Sequence, residues 1–213
     1  RKSLFMSAGI AIAINQVGTN FENLWFGRQF DTNLLAVDLT IPSGENFIYD
    51  NISFVNLNLG MRWVFIDQNF NQFSTGLSLN NINSPNISLR EEVVSLQSKL
   101  TFFFESILEL NDDLVQKPGL QLSFQNPSFQ IIPSYMLGFN INQEDSTMDI
   151  GIASRISNSY SGVIADSIIL LLGLSNKGYR IGFSFDFNVS PLSQFTNGNG
   201  ALEISFDYTL PTN

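Results

Sequence analysis

The chain has 213 residues, enough for one or two domains, yet only 14% of them are charged, against roughly 25% in ordinary soluble domains, while aromatics reach 13% with 20 Phe. Its net charge of −9, with 10 Lys and Arg, argues against a phosphate-binding surface and sets nucleic acid aside. The absence of Cys and His removes a disulfide framework, His-ligated zinc and the Ser-His-Asp and Cys-His triads, so an enzyme would work with carboxylates or Lys alone.

At the start, Arg1 and Lys2, an apolar run and Ala11-Ile12-Ala13 have the outline of a signal peptide. Leu4, Met6, Ala8, Ile10, Ile12 and Ile14, however, alternate with smaller residues, and period two favours a strand. No run of about 18 apolar residues occurs, so the sequence offers no transmembrane helix, and Ile168 to Leu174 is too short to be one. From Gly18 to Asn51 the chain reads mostly as a long loop carrying Trp25, Phe26, Arg28, Asp31 and Pro42, with one further strand around Leu34 to Ile41. Loops of that length tend to be functional or disordered.

Alternation then becomes strict. From Phe54 to Phe65 it sets Val55, Leu57, Leu59, Met61, Trp63 and Phe65 against Asn56, Asn58, Gly60 and Arg62. After the turn DQNFN, Phe73, Thr75, Leu77 and Leu79 oppose Gln72, Ser74, Gly76 and Ser78. Between Leu96 and Leu110, Leu100, Phe102 and Phe104 oppose Lys99, Thr101 and Glu105, with Phe103 and Ile107 blurring the pattern. Strands near Leu120 to Gln125 and Phe129 to Asn142 flank the turn Asn126-Pro127-Ser128, and Pro133 predicts a strand end or bulge because it cannot donate to the ladder. Met148 to Ile156, Val163 to Leu174, Tyr179 to Val189 and Leu202 to Leu210 follow. About ten strands, no convincing amphipathic helix and no linker predict a single all-β antiparallel domain over 1–213.

Alternation alone fits a soluble sandwich, a lipocalin-like barrel and a membrane barrel. Strands that reach the 9–11 residues needed to cross a membrane, and polar faces of small residues with isolated charges of both signs, favour a transmembrane β-barrel with its polar face inward. Trp63, Phe65 and Phe54 near the ends of one strand suit aromatic girdles. The alternative is a Phe-rich soluble β-sandwich with the apolar faces inward.

The C-terminal third, YRIGFSFDFNVSPLSQFTNGNGALEISFDYTL, resembles the end of the PorP/SprF family of type IX secretion system outer-membrane proteins of Bacteroidota. The matching residues are Gly182-Phe183-Ser184-Phe185-Asp186, Leu192-Ser193, Asn197-Gly198 and Glu203-Ile204-Ser205. Upstream, Asn56 to Phe65 is similar to the family's N-x-G-x-x-[WY] strand, and Phe73 to Leu89 to its F-x-x-G-L-S strand and N-x-P-N loop; Ile132 to Leu137 is a looser match. Family members are longer, with a signal peptide and an Asn-Pro-Ala segment before the region corresponding to Arg1, so the chain corresponds to the family's C-terminal two-thirds and its strands to part of a larger barrel. Relatives often carry His beside the N-x-P-N motif, and this chain has none. The resemblance implies a non-enzymatic outer-membrane barrel of the secretion and gliding machinery that helps secrete or anchor a large surface adhesin. It also implies contacts with periplasmic ring components, a peptidoglycan-binding partner and outer-membrane lipid, without a cofactor or catalytic residues.

Two sets of candidate site residues emerge. Arg62, Lys99, Glu105, Arg155, Arg180 and Asp186 share the polar faces and predict a lumen ion-pair network rather than a Glu105–Asp186 catalytic pair. The loops Asn80 to Asn86 (Asn80, Asn81, Asn83, Pro85, Asn86) and Thr19 to Gly44 (Trp25, Arg28, Asp31) are candidate partner contacts, since loops on a rigid scaffold carry recognition. Glu91-Glu92 and Asp112-Asp113 are solvated turn residues or, less simply, Ca²⁺ ligands. A passive porin or hydrophobic-substrate channel and, more remotely, an outer-membrane hydrolase are the alternative functions.

Overall fold

The computed structural model of the protein describes residues 2–20, 24–45, 49–142, 146–159, 162–191, 193–196 and 198–210. Arg1, residues 21–23 and 46–48 of the long loop, and Leu192 and Asn197 of the C-terminal resemblance lie outside the described residues. Ten long strands form one sheet: β1 (Ser3–Gly18), β4 (Asn51–Ile66), β5 (Gln72–Asn80), β6 (Lys99–Asn111), β7 (Leu114–Gln125), β8 (Ser128–Asn142), β9 (Ser146–Ser159), β10 (Gly162–Asn176), β11 (Tyr179–Asn188) and β12 (Asn199–Tyr208). Each pairs with its neighbours in chain order, as an antiparallel meander. Two short strands, β2 (Phe30–Asp31) and β3 (Ala36–Val37), pair separately. The expected strand over Leu34 to Ile41 is thus reduced to two residues, and the opening apolar run lies in strand β1, as its alternation predicts. No helix among the described residues is long and apolar enough to cross a membrane.

Tight connections follow from local chemistry. Between β4 and β5, Asp67 Oδ1 accepts from the backbone N–H of Asn69 (2.8 Å) and Asn71 (2.9 Å), closing the DQNFN turn. Lys177 (φ 44°) and Gly178 (φ 92°) are both left-handed, as a two-residue hairpin demands, and join β10 to β11 with Asn176 facing Tyr179.

Pro133 corrects an expectation: it is neither a strand end nor a bulge. It sits inside β8 opposite Leu120, and the β8–β9 ladder simply skips from Ile131↔Ile156 to Ser134↔Ala153 without a change of register. The strand expected near Leu120 to Gln125 begins earlier, at Leu114, so Pro118 lies inside β7 opposite Tyr135, and the β6–β7 ladder skips from Glu105↔Gly119 to Leu108↔Gln116. A missing N–H opens one ladder locally, while paired neighbours on both sides carry the strand through.

Contacts divide the chain into two compact units, the first of Arg1–Gly9, Leu59–Leu79 and Lys99–Asn213, the second of Ile10–Asn58 and Asn80–Ser98. Burial in the first unit is inverted relative to a soluble protein. Ser74, Ser123, Asp149, Ser167 and Asp186 are buried, whereas Tyr179, Ile181, Phe183 and Phe187 of β11 and Ile168, Leu170, Leu172 and Leu174 of β10 stand exposed. Among the described residues, the buried hydrophobic side chains are Ala153 and Ile169 alone. Leaving one large apolar side chain in water forgoes about 1.5–3 kcal/mol, so a face of them outweighs the roughly 5–15 kcal/mol that holds a domain folded. Lipid removes that penalty, and the soluble-sandwich alternative, which needs these side chains inside, is not the arrangement adopted.

Candidate functional site

The polar face of the first unit is built by period two on neighbouring strands, and its charges meet across them. Asp149 on β9 is 1% exposed. It receives Lys117 Nζ from β7 at 2.5 Å and faces the Arg180 guanidinium from β11 at 3.6 Å. Each cation reaches over an intervening strand, and glycine makes the room. A Cβ on Gly138 of β8 would lie 2.7 Å from Asp149 Oδ1 and 3.2 Å from Lys117 Cε, and one on Gly173 of β10 would lie 3.2 Å from Asp149 Cβ. Beside this cluster, Arg155 on β9 meets Asp186 on β11 at 2.6 Å. The two β9–β11 ion pairs have opposite polarity, acid to base and then base to acid.

Of the residues singled out in the sequence, Arg155 and Asp186 therefore come together, while Arg180 turns to Asp149. Arg62 donates to Ser74 Oγ (3.2 Å) and lies over the Phe103 ring, 6.0 Å from its centre. Phe103, which had blurred the alternation, is on the polar face, covering Gly76. Lys99 lines a cavity of about 260 Å³ with Ser123, Gln130 and Asp166, where Ser157 Oγ donates to Asp166 at 2.5 Å. Neither Lys99 nor Glu105 has an ion pair among the described residues, and Glu105 is not joined to Asp186. Lys117 was missed because it precedes the strand expected near Leu120 to Gln125; Asp149 was missed although it shares the parity of Gly151, Ala153 and Arg155, a signal the sequence did contain.

The second unit holds both long loops. The Asn-rich loop is bonded to β4: Asn83 Oδ1 accepts from Leu57 N (3.0 Å) and its Nδ2 donates to Val55 O (2.6 Å), while the backbone N–H of Asn81 donates to Asn58 Oδ1 (3.0 Å). Asn86 Oδ1 accepts from Ser88 N (3.1 Å) and Val94 N (3.0 Å), and Pro85 O accepts from Leu96 N (2.9 Å). Asn80 closes β5. Asn81 and Asn83 thus fasten the loop to β4, while Asn86 and Pro85 brace it internally. In the longer loop, Asp31 Oδ1 caps its own turn through Asn33 N (2.7 Å) and Leu34 N (3.2 Å). Trp25 packs on Phe30 with ring centres 6.3 Å apart yet stays exposed, and Arg28 lies along Gly44. An Arg90–Glu45 ion pair and Tyr49 N donating to Leu89 O (3.4 Å) tie the two loops together.

Hydrogen bonding depresses two loop carboxyls: the Thr40 hydroxyl and then its backbone N–H hold Asp38 below the usual carboxylate range, and the Asn71 side chain does the same for Asp67. Asp112 and Asp113 form the turn between β6 and β7, their carbonyls taken by Asn140 Nδ2 (2.6 Å) and N (2.9 Å). No group of three or more potential metal ligands occurs among the described residues.

Comparison with known proteins adds one match. A family model described as "Type IX secretion system membrane protein PorP/SprF" matches residues 1–208. No curated protein and no solved structure matches the chain.

Proposed function

Because the chain belongs to the PorP/SprF family of type IX secretion system membrane proteins, which is not a family of enzymes, we propose that it is an outer-membrane barrel component that helps secrete or anchor a large cell-surface adhesin. The observation that carries the membrane part is the inverted burial: an apolar face left exposed beside a buried polar one has its favourable environment in lipid. On this reading the Lys117–Asp149–Arg180 and Arg155–Asp186 groups face the lumen of one barrel domain, and periplasmic ring components and a peptidoglycan-binding partner are its other contacts.

Connection lengths support an orientation. Connections alternate along the meander: 67–71, 112–113 and 177–178 are short turns, and 19–50 and 81–98, of the opposite parity, are long loops. Outer-membrane barrels keep short turns on the periplasmic side and longer loops outside. The two loops of the second unit then face the exterior, where an adhesin is held, and this supports their assignment as partner contacts.

Affinity purification in detergent followed by mass spectrometry tests the reading. A large adhesin should co-purify and be lost when either long loop is shortened. Unchanged adhesin retention in both loop deletions would refute the loop assignment, and steady small-solute conductance in planar bilayers with no co-purifying partner would replace the proposal with a passive porin.

A further inference from the structure

The second unit contains a cavity of about 510 Å³, within the 300–1,000 Å³ of typical ligand pockets. Leu24, Phe26, Leu39, Ile41 and Pro42 supply its apolar lining, and Glu45 and Asp50 supply carboxylates, with no Lys or Arg among the lining residues. Leu39 is 71% and Leu24 45% exposed, so the apolar lining is open to a partner rather than spent on a core.

The walls are set in place before anything binds. Gln29 is buried between them, accepting from Phe26 N (3.0 Å) and donating to Ile41 O (2.9 Å), while its own carbonyl accepts from Asp38 N (2.8 Å). Asp38 in turn fixes Thr40 through the backbone N–H (2.9 Å) and hydroxyl (2.6 Å). A site held by its own polar contacts has little ordering cost left when it binds.

Charge selects the occupant. The described residues of this unit carry six acids (Asp31, Asp38, Glu45, Asp50, Glu91, Glu92) and two bases (Arg28, Arg90), and Arg90 is paired with Glu45. An acidic apolar cavity attracts a basic apolar group and repels an acidic one. We propose that this cavity docks a segment of a partner polypeptide that presents a bulky apolar side chain beside a Lys or Arg. The inference deepens the partner-contact reading given above and rests on it.

The test places the photo-cross-linking residue p-benzoylphenylalanine at Leu39, and separately at Val93, an exposed loop position that does not line the cavity. Irradiation is done on cells producing the full chain, and adducts are mapped by mass spectrometry. The expected result is a Leu39 adduct on a segment with Lys or Arg next to a large apolar residue, reduced at least fivefold by Asp50→Lys and by Leu24→Glu in protein that keeps its folded gel mobility. Adducts on lipid or on an acidic segment, or a yield indifferent to Asp50→Lys, overturn the proposal. A Val93 adduct without one at Leu39 overturns the cavity and leaves the partner-contact reading standing; no adduct from either position overturns both.

Discussion

Replacing Asp149 by Asn should be among the most damaging single changes on the polar face. The side chain keeps its shape but loses the charge that holds Lys117 at 2.5 Å and faces Arg180 at 3.6 Å. Breaking a buried ion pair by removing one partner typically costs about 3–5 kcal/mol, because the partner charge is left desolvated. Here the side chain of Lys117 is 21% exposed and that of Arg180 is 52% exposed, so Arg180 can swing toward water and Lys117 cannot do so fully. The lower end of the range, about 3 kcal/mol or roughly a 150-fold shift in the folding equilibrium, is therefore expected. Removing all three charges, Lys117→Met with Asp149→Asn and Arg180→Met, leaves no stranded cation and should recover at least about 2 kcal/mol of that loss. Urea unfolding in lipid vesicles, followed by tryptophan fluorescence and by heat-dependent gel mobility, measures both. A single variant costing under about 1 kcal/mol, or a triple variant as unstable as the single, would show that the cluster is not an electrostatic unit.

Three further outcomes follow from local geometry. A Cβ on Gly76 would lie 2.4 Å from Phe103 Cε1 and 2.8 Å from Met61 O, so Gly76→Ala should cost about 1–3 kcal/mol; adding Phe103→Leu should return part of it in the same unfolding assay, and no return would mean that the backbone contact sets the cost. Asp67 is held below the ordinary carboxylate range chiefly by Asn71, so its contribution to stability is full above the ordinary value and is lost as pH falls through the depressed one. In Asn71→Ala the Asp67 titration, read by carboxyl NMR, should move up toward the ordinary value; an unmoved titration would remove Asn71 as the cause. Since the chain has no Cys, Val93→Cys and Lys177→Cys give unique labels, and an impermeant maleimide on intact cells should reach residue 93 and not 177; the reverse pattern would invert the proposed orientation.

The strands were legible because period two runs through most of them, blurred at places such as Phe103 and Ile107, so tertiary packing had little propensity to overrule. β5 runs from Gln72 to Asn80, as its alternation indicates. What the period could not show is how Pro118 and Pro133 continue a strand, because that depends on paired neighbours elsewhere in the chain. The charged cluster was only half legible for the same reason. Parity places Arg155, Arg180 and Asp186 on one face, but partner choice is decided two strands away, where Gly138 and Gly173 open a path to Asp149. In the Asn-rich loop, what composition does not show is that the Asn83 side chain and the Asn81 backbone N–H hold the loop to β4.

One structural requirement links the fold to the membrane assignment. A sheet spanning lipid cannot leave an edge unpaired, since each exposed N–H or C=O there costs several kcal/mol. The strand order begins at β1 and ends at β12, so both need backbone partners in the membrane. Ten strands in an antiparallel meander is an even number, so β1 and β12 run in opposite directions. They are therefore compatible with pairing to each other, or with an even number of further antiparallel strands between them, and incompatible with an odd number. The alternation of Leu202, Ile204 and Phe206 with Glu203, Ser205 and Asp207 on β12 sets the register parity such a partner must meet: its apolar residues have to fall beside the first three and its polar residues beside the second.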